Sequence, residues 1–218
     1  VTDRQSAQAA VAGVYDELQD ATLVFDGYMM AWQLHSDETI FTGTFPTRLE
    51  FGNLNVFPSN TTWAAVFSDF YDVINVANNV IEVIPNVDSP TLDQAGVRES
   101  FIAEARFARA LSYFYLVQAH GDVPLIIKPT VGVGEELNVP ADAAATVMAQ
   151  VIEDFEYAAA NLDPALSLEA TPDAANGFLA RIALYQGRWA DAYNLATSVL
   201  GAGFDLTSFA FLADQVFS

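Results

Sequence analysis

An all-α architecture of tetratricopeptide-like helical hairpins, with long ordered loops and little or no sheet, is the fold class predicted for these 218 residues. Three observations predict it. Apolar residues recur at helical spacing through most of the chain. Pro85, Pro90, Gly121, Pro129, Pro140, Pro164, Pro172 and Gly187 fall between the periodic spans and punctuate them. Small residues follow a Gly-x-aromatic turn from Gly187 through Trp189, Ala192 and Ala196, the spacing of a tight hairpin in which alanines let two helices approach.

Taken in order, helices are expected near residues 3 to 20, 22 to 34, 61 to 84, 93 to 119, 141 to 162, 173 to 186 and 189 to 201. Thr2 and Gln5 read as a capping box ahead of Ala7, Val11 and Val14. Residues 35 to 60 carry no helical period and form the longest loop. Thr61 or Thr62 is expected to cap the helix that follows. The helix through Phe101, Ala105, Ala108, Leu111, Tyr115 and Ala119 also bears Phe107, Phe114, Leu116 and Val117 on its other faces, so it requires cover on more than one side. Gly121 supplies a left-handed closing residue, and Pro124 blocks continuation. Residues 129 to 140 form a second, Gly-rich loop. The pair Ala105-Arg106-Phe107-Ala108 and Ala180-Arg181-Ile182-Ala183 reads as an internal echo. With no low-complexity linker, residues 1 to 218 read as a single helical domain.

Composition narrows the function. Hydrophobic residues make up 52% of the chain, enough for a large core. No apolar run approaches the ~20 residues that span a bilayer, and the first residues do not have the pattern of a signal peptide. The chain thus reads as mature or trimmed, with a signal peptide absent from the given residues and any lipidated cysteine placed before Val1. The 28 acidic side chains stand against seven Arg and one Lys, for a formal charge of −20. Such a charge opposes bare nucleic acid and anionic membrane surfaces as partners. Asp outnumbers Glu and Lys is nearly absent, which looks like a halophile surface. Zero cysteines remove disulfides, thiolate metal sites and cysteine nucleophiles.

The stretch from Glu104 through Ala105, Arg106, Phe107, Arg109, Ala110, Tyr113, Phe114 and Leu116 to Gly121-Asp122-Val123-Pro124-Leu125 resembles the signature of the SusD/RagB family of outer-membrane nutrient-binding lipoproteins, with His120 where an aromatic is more usual. Upstream, Trp63, Phe67, Tyr71, Ile74, Ala77-Asn78 and Ile81 look like a second family helix, and Ser36-Asp37-Glu38 like its acidic triplet. The matches keep the family's order and cover the helical half of a usual member. The resemblance implies a cell-surface or extracellular, non-enzymatic protein that captures oligosaccharides for a TonB-dependent outer-membrane transporter.

In proteins of this kind the loop before the Trp63 helix contributes to the glycan site. Sugar recognition needs aromatic faces for CH surfaces and polar groups for hydroxyls. Residues 35 to 60 supply both, so Asp37, Phe41, Phe45, Arg48, Asn53 and Phe57 are the candidate ligand-binding residues. Residue by residue, each phenylalanine is better suited to anchoring the loop onto the helices than to touching ligand, and Arg48 is suited to pairing with Glu50 or Glu38. Trp32, Trp63 and Trp189 read as core wedges. Glu104, Arg106 and Arg109 read as fold-specifying groups that pair with one another or with loop carbonyls, and Asp122 as an acceptor of N–H bonds at its turn.

Catalysis and cofactors find little support. Only His35 and His120 exist, neither in a nucleophile motif. With 28 carboxylates, any glycosidase pair can be invented. No cofactor is expected. Asp16-Glu17-Asp20, Glu135-Glu136 and Glu153-Asp154-Glu156 could bind Ca²⁺ weakly but have no EF-hand spacing, and solvated acidic faces are the plainer reading. An alternative function remains open: an extracellular structural protein whose copies pack head to tail into filaments, docking through the apolar residues Phe209, Phe211, Leu212, Val216 and Phe217.

Overall fold

The computed structural model describes residues 1–20, 23, 27–36, 39–132 and 138–203. Among them are eight α-helices and no β-strand: α1 (Arg4–Leu18), α2 (Tyr28–His35), α3 (Pro46–Gly52), α4 (Thr61–Val83), α5 (Val97–His120), α6 (Ala144–Asn161), α7 (Pro172–Tyr185) and α8 (Trp189–Gly201). A single isolated bridge pairs Val123 with Asp142.

Helix α5 is the axis of the structure. Phe101, Ala105, Ala108, Tyr113, Phe114 and Leu116 are all buried, on several faces of the helix at once. Helices α1, α4 and α6 pack around it, α7 packs on α6, and α8 on α7. The alanines bring backbones close, while Phe107, Phe114, Phe155 and Phe178 meet in edge-on and stacked pairs across the α5–α6–α7 junction.

Polar groups buried on α5 fix the register of this packing. The Arg109 guanidinium donates through Nε and Nη2 to the two carboxylate oxygens of Asp154 on α6, both at 2.8 Å, and through Nη1 to Asn78 Oδ1 on α4 at 2.7 Å. Asn78 in turn donates to the carbonyls of Ile126 and Lys128, at 2.9 and 3.1 Å. Glu104 accepts from the Tyr15 hydroxyl on α1 and from the backbone of Leu168 and Ala170 ahead of α7. Burial pushes its carboxyl above the ordinary range, while the hydrogen bonds act in the opposite direction. Glu104, Arg106 and Arg109 therefore do not pair with one another. The partners come from neighbouring helices and loops, Arg106 lying over the Tyr157 ring at 4.3 Å and within 3.4 Å of Asp154.

Several local expectations are corrected. The first helix is capped by Asp3 and Ser6, a capping box one residue later than Thr2 and Gln5 suggested, because the Asp3 carboxylate accepts the Ser6 N–H. The segment 35 to 60 is not a continuous loop: Pro46 opens α3 at its first turn, where its fixed φ suits a helix and its missing N–H costs nothing. Asn60, not Thr61 or Thr62, caps α4, its Oδ1 accepting the Trp63 N–H at 3.1 Å. Gly121 ends α5 at positive φ (75°), but its ψ of −115° lies outside the left-handed helical region. Asp122 accepts the Ala144 N–H at 2.8 Å, so the turn after α5 also serves the start of α6.

The terminal hairpin departs most. Gly187 makes the α7–α8 turn at φ 72°, but Trp189 is 67% exposed, its ring beside that turn and not in the core, and Ala196 is exposed as well. Only Ala192 of α8 is buried among the described residues.

Arg109→Met or Asp154→Ala should each lower stability by about 3–5 kcal/mol by stranding a buried charge, whereas Arg109→Met combined with Asp154→Leu should recover most of it. Denaturant unfolding followed by circular dichroism measures this, and a single-variant loss below about 1 kcal/mol would place the pair with surface ion pairs.

Candidate carbohydrate-binding site

A second, smaller apolar core holds one end of the helical stack together. Ala31 and Leu34 of α2 and Phe51 of α3 are buried in it, with Met30, Phe41, Val56 and Trp63 packed around them. Because Phe51 points inward from α3, the opposite side of that short helix faces outward. The segment is tied back by Glu50, whose Oε2 accepts from the Phe57 N–H at 3.2 Å and from Asn60 Nδ2 at 2.7 Å. Asn60 also donates to the Thr47 carbonyl at 2.9 Å. Leu54, with φ 54°, is the one non-glycine residue at positive φ among those described, so the bend between Gly52 and Phe57 carries local strain.

This framework divides the six candidate residues. Phe45 and Phe57 are 62% and 51% exposed, and Asn53 is exposed. Phe41 instead packs on the small core and acts as the loop's anchor. Arg48 is half-buried, its guanidinium 5.1 Å from the Phe45 ring centre and 5.9 Å from that of Phe41, an arrangement that stiffens both rings and keeps a fork of donors beside them. Asp37 and its neighbour Glu38 lie outside the described residues, as do Glu135, Glu136 and the docking residues Phe209, Phe211, Leu212, Val216 and Phe217.

A cavity of about 220 Å³ is lined by Trp32, His35, Phe51, Val56 and Trp63, with Ala31 and Ala119. Its rings form a connected series. Trp32 lies 6.3 Å from His35, His35 5.9 Å from Phe51, and Phe51 5.5 Å from Trp63. Tyr28 stacks on Trp63 at 6.3 Å. Sequence reasoning assigned Trp32 and Trp63 to the core and gave His35 no role. Trp63 is indeed half-buried, but Trp32 is 44% exposed and borders the cavity. The signal that could have found them is the i, i+3 spacing of Trp32 and His35 on one face of a helix ending just before the aromatic loop.

His120 sits behind Trp63, its ring 5.2 Å from Trp63 and 5.1 Å from Phe67. Its Nε2 is buried with no hydrogen-bond partner among the described residues. Burial disfavours the imidazolium and holds the pKa below its ordinary 6.5. The site thus offers aromatic faces with amide and guanidinium donors. No group of three or more His, Asp or Glu is assembled for a metal ion among the described residues, and Asp154 of the Glu153-Asp154-Glu156 cluster is engaged by Arg109. No described helix is long and apolar enough to cross a membrane.

Comparison with known proteins converges on one family. The SusD-like family, described as starch-binding associating with outer membrane, matches residues 30–184. A SusD-like protein of Bacteroides ovatus is 30% identical over 141 residues, 64% of this chain and 26% of its own. One from Formosa agariphila is 27% identical over 209 residues, 94% of this chain and 39% of its own. Among solved structures, a laminarin-binding SusD-like protein superposes with a TM-score of 0.79 at 25% identity, over 92% of this chain and 44% of the other. A SusD superfamily protein of Bacteroides vulgatus gives a TM-score of 0.82 at 19% identity, over 94% and 45%. The chain therefore spans less than half the length of each of these four relatives.

Because the folded state holds His120 neutral, its contribution to stability is fully present above pH 6.5 and is lost as pH falls from there through the lowered folded-state pKa. Between pH 7.5 and 5 the melting temperature of the wild type should fall more than that of His120→Phe. Parallel curves would remove His120 from the acid response.

Proposed function

The chain belongs to the SusD-like carbohydrate-binding family, and on that premise we propose that it captures neutral glucan oligosaccharides at the cell surface, without a covalent step, for transfer to a TonB-dependent outer-membrane transporter. The observation that carries the reading is the cavity lined by Trp32, His35, Phe51 and Trp63, built in part from the same loop segment that exposes Phe45 and Phe57. Sugar rings stack their CH faces on aromatic side chains, and Arg48 and Asn53 supply donors for hydroxyls. Glucan as the ligand class is supported by the starch-binding description of the family and by the laminarin-binding structural relative. Neutrality follows from charge, since a chain at −20 repels sulfated or uronic-acid sugars.

Phe45→Ala and Phe57→Ala should each weaken binding of laminari- or malto-oligosaccharides by about tenfold, roughly 1.4 kcal/mol, with melting temperatures close to wild type because both rings are exposed. Isothermal titration calorimetry checks this. Affinity unchanged in both variants would remove the loop from the site.

A second reading, assembly of copies through the end of the helical stack, draws on a different observation: Trp189 and Tyr193, at 67% and 71% exposure, together with Leu184 and Leu200, leave an apolar face on the α7–α8 hairpin. On that reading light scattering should show mass rising with protein concentration and with salt, which screens the like charges. A monomer throughout would eliminate it.

A further inference from the structure

The aromatic cavity has a continuation along α4. Trp63, Phe67 and Tyr71 follow at four-residue intervals, so their side chains share one face of the helix. Phe67 and Tyr71 are 4.9 Å apart between ring centres, and the His120 ring fills the interval between Trp63 and Phe67. Trp63 borders the first cavity. Phe67 and Tyr71 border a second one of about 350 Å³, between α4 and the extended segment that follows α5, with Asp72, Asn75, Pro124 and Thr130 also at its wall.

The polar groups of this second cavity fall into two sets. The Tyr71 hydroxyl donates to the Pro124 carbonyl at 2.6 Å, and Asn75 Oδ1 accepts the Thr130 N–H at 2.9 Å. These bonds hold the wall, in which both rings are partly exposed. Asp72 is different: it is exposed, and no hydrogen bond reaches its carboxylate from any described residue. The eight residue steps from Trp63 to Tyr71 advance ~12 Å along the helix axis, a distance suited to several linked sugar rings and not to one.

We propose that the two cavities are successive subsites of one track, and that the second takes the further rings of a neutral oligosaccharide, stacked on Phe67 and Tyr71 and donating a hydroxyl to the Asp72 carboxylate. This rests on the carbohydrate-binding reading above and adds to it a length preference. A carboxylate acceptor in a strongly acidic chain favours an uncharged polyol, which supplies donors without bringing negative charge.

The test is calorimetric titration with laminaribiose, laminarihexaose, maltose and maltohexaose. One hexasaccharide should bind wild type at least about tenfold more tightly than its disaccharide. Asp72→Ala should remove most of that advantage while leaving the disaccharide affinity unchanged. Thr130→Trp, which fills the second cavity from its rim, should do the same, and unchanged melting temperatures would establish that both variants fold. Equal affinity for both lengths, or a hexasaccharide advantage that survives both substitutions, overturns the second subsite and leaves the first in place. Failure of all four sugars to bind wild type overturns the parent reading and this one together.

Discussion

The buried bidentate pair of Arg109 with Asp154, completed by Asn78, is the constraint on which the arrangement depends. An arginine taken out of water is tolerated only where its donors are met, and here an acceptor comes from each of two other helices. Sliding α4 or α6 by one turn would leave a charge unpaired in an apolar interior. The constraint extends past the helices, because Asn78 turns its two amide protons to the carbonyls of Ile126 and Lys128. Tyr113 reinforces this by both donating to the Ile126 carbonyl and accepting the Ile126 N–H. An extended segment joined to the rest by a single isolated bridge thus has its backbone met by side chains of α4 and α5 and by Asp142.

Helix α4 consequently works on two sides. Val66, Phe70, Val73 and Ala77 are buried in the main core, while Trp63, Phe67 and Tyr71 are partly buried against it and line the surface where ligand is proposed to lie. Function and stability are therefore not segregated by element. Trp63 packs on both cores, and so joins the small core of Ala31, Leu34 and Phe51 to the main interior.

Helix positions were largely legible in the sequence because periodicity and Gly/Pro punctuation report burial directly, and α4, α5 and α7 begin or end within a few residues of expectation. The short α3 was hidden, since seven residues with one buried side chain carry no period. Caps moved by one residue for a related reason: Asp3, Asn60 and the threonines beside them are all competent, and only the backbone approach selects among them. The exposure of the candidate residues was legible in part. Aromatic content pointed to Phe45 and Phe57, but whether a tryptophan is interior or rim depends on which helices stop beside it, and Trp32 and Trp189 both lie where cover by described residues runs out. The fold-specifying role of Glu104 and Arg109 was inferred correctly, while their partners, 45 and more residues away for Asp154, Leu168 and Ala170, were beyond local reasoning.

The carboxylate of Glu50 links the loop to the helix behind it. One oxygen receives the Phe57 N–H and the amide of Asn60, and Asn60 with its other end caps α4. Displacing Phe57 breaks a bond to the same carboxylate that holds Asn60, the cap of a helix that is part of the main core. Rearrangement of the rim is thereby coupled to fraying of the scaffold, so the conformational entropy that a mobile loop would surrender on meeting a ligand has already been given up during folding.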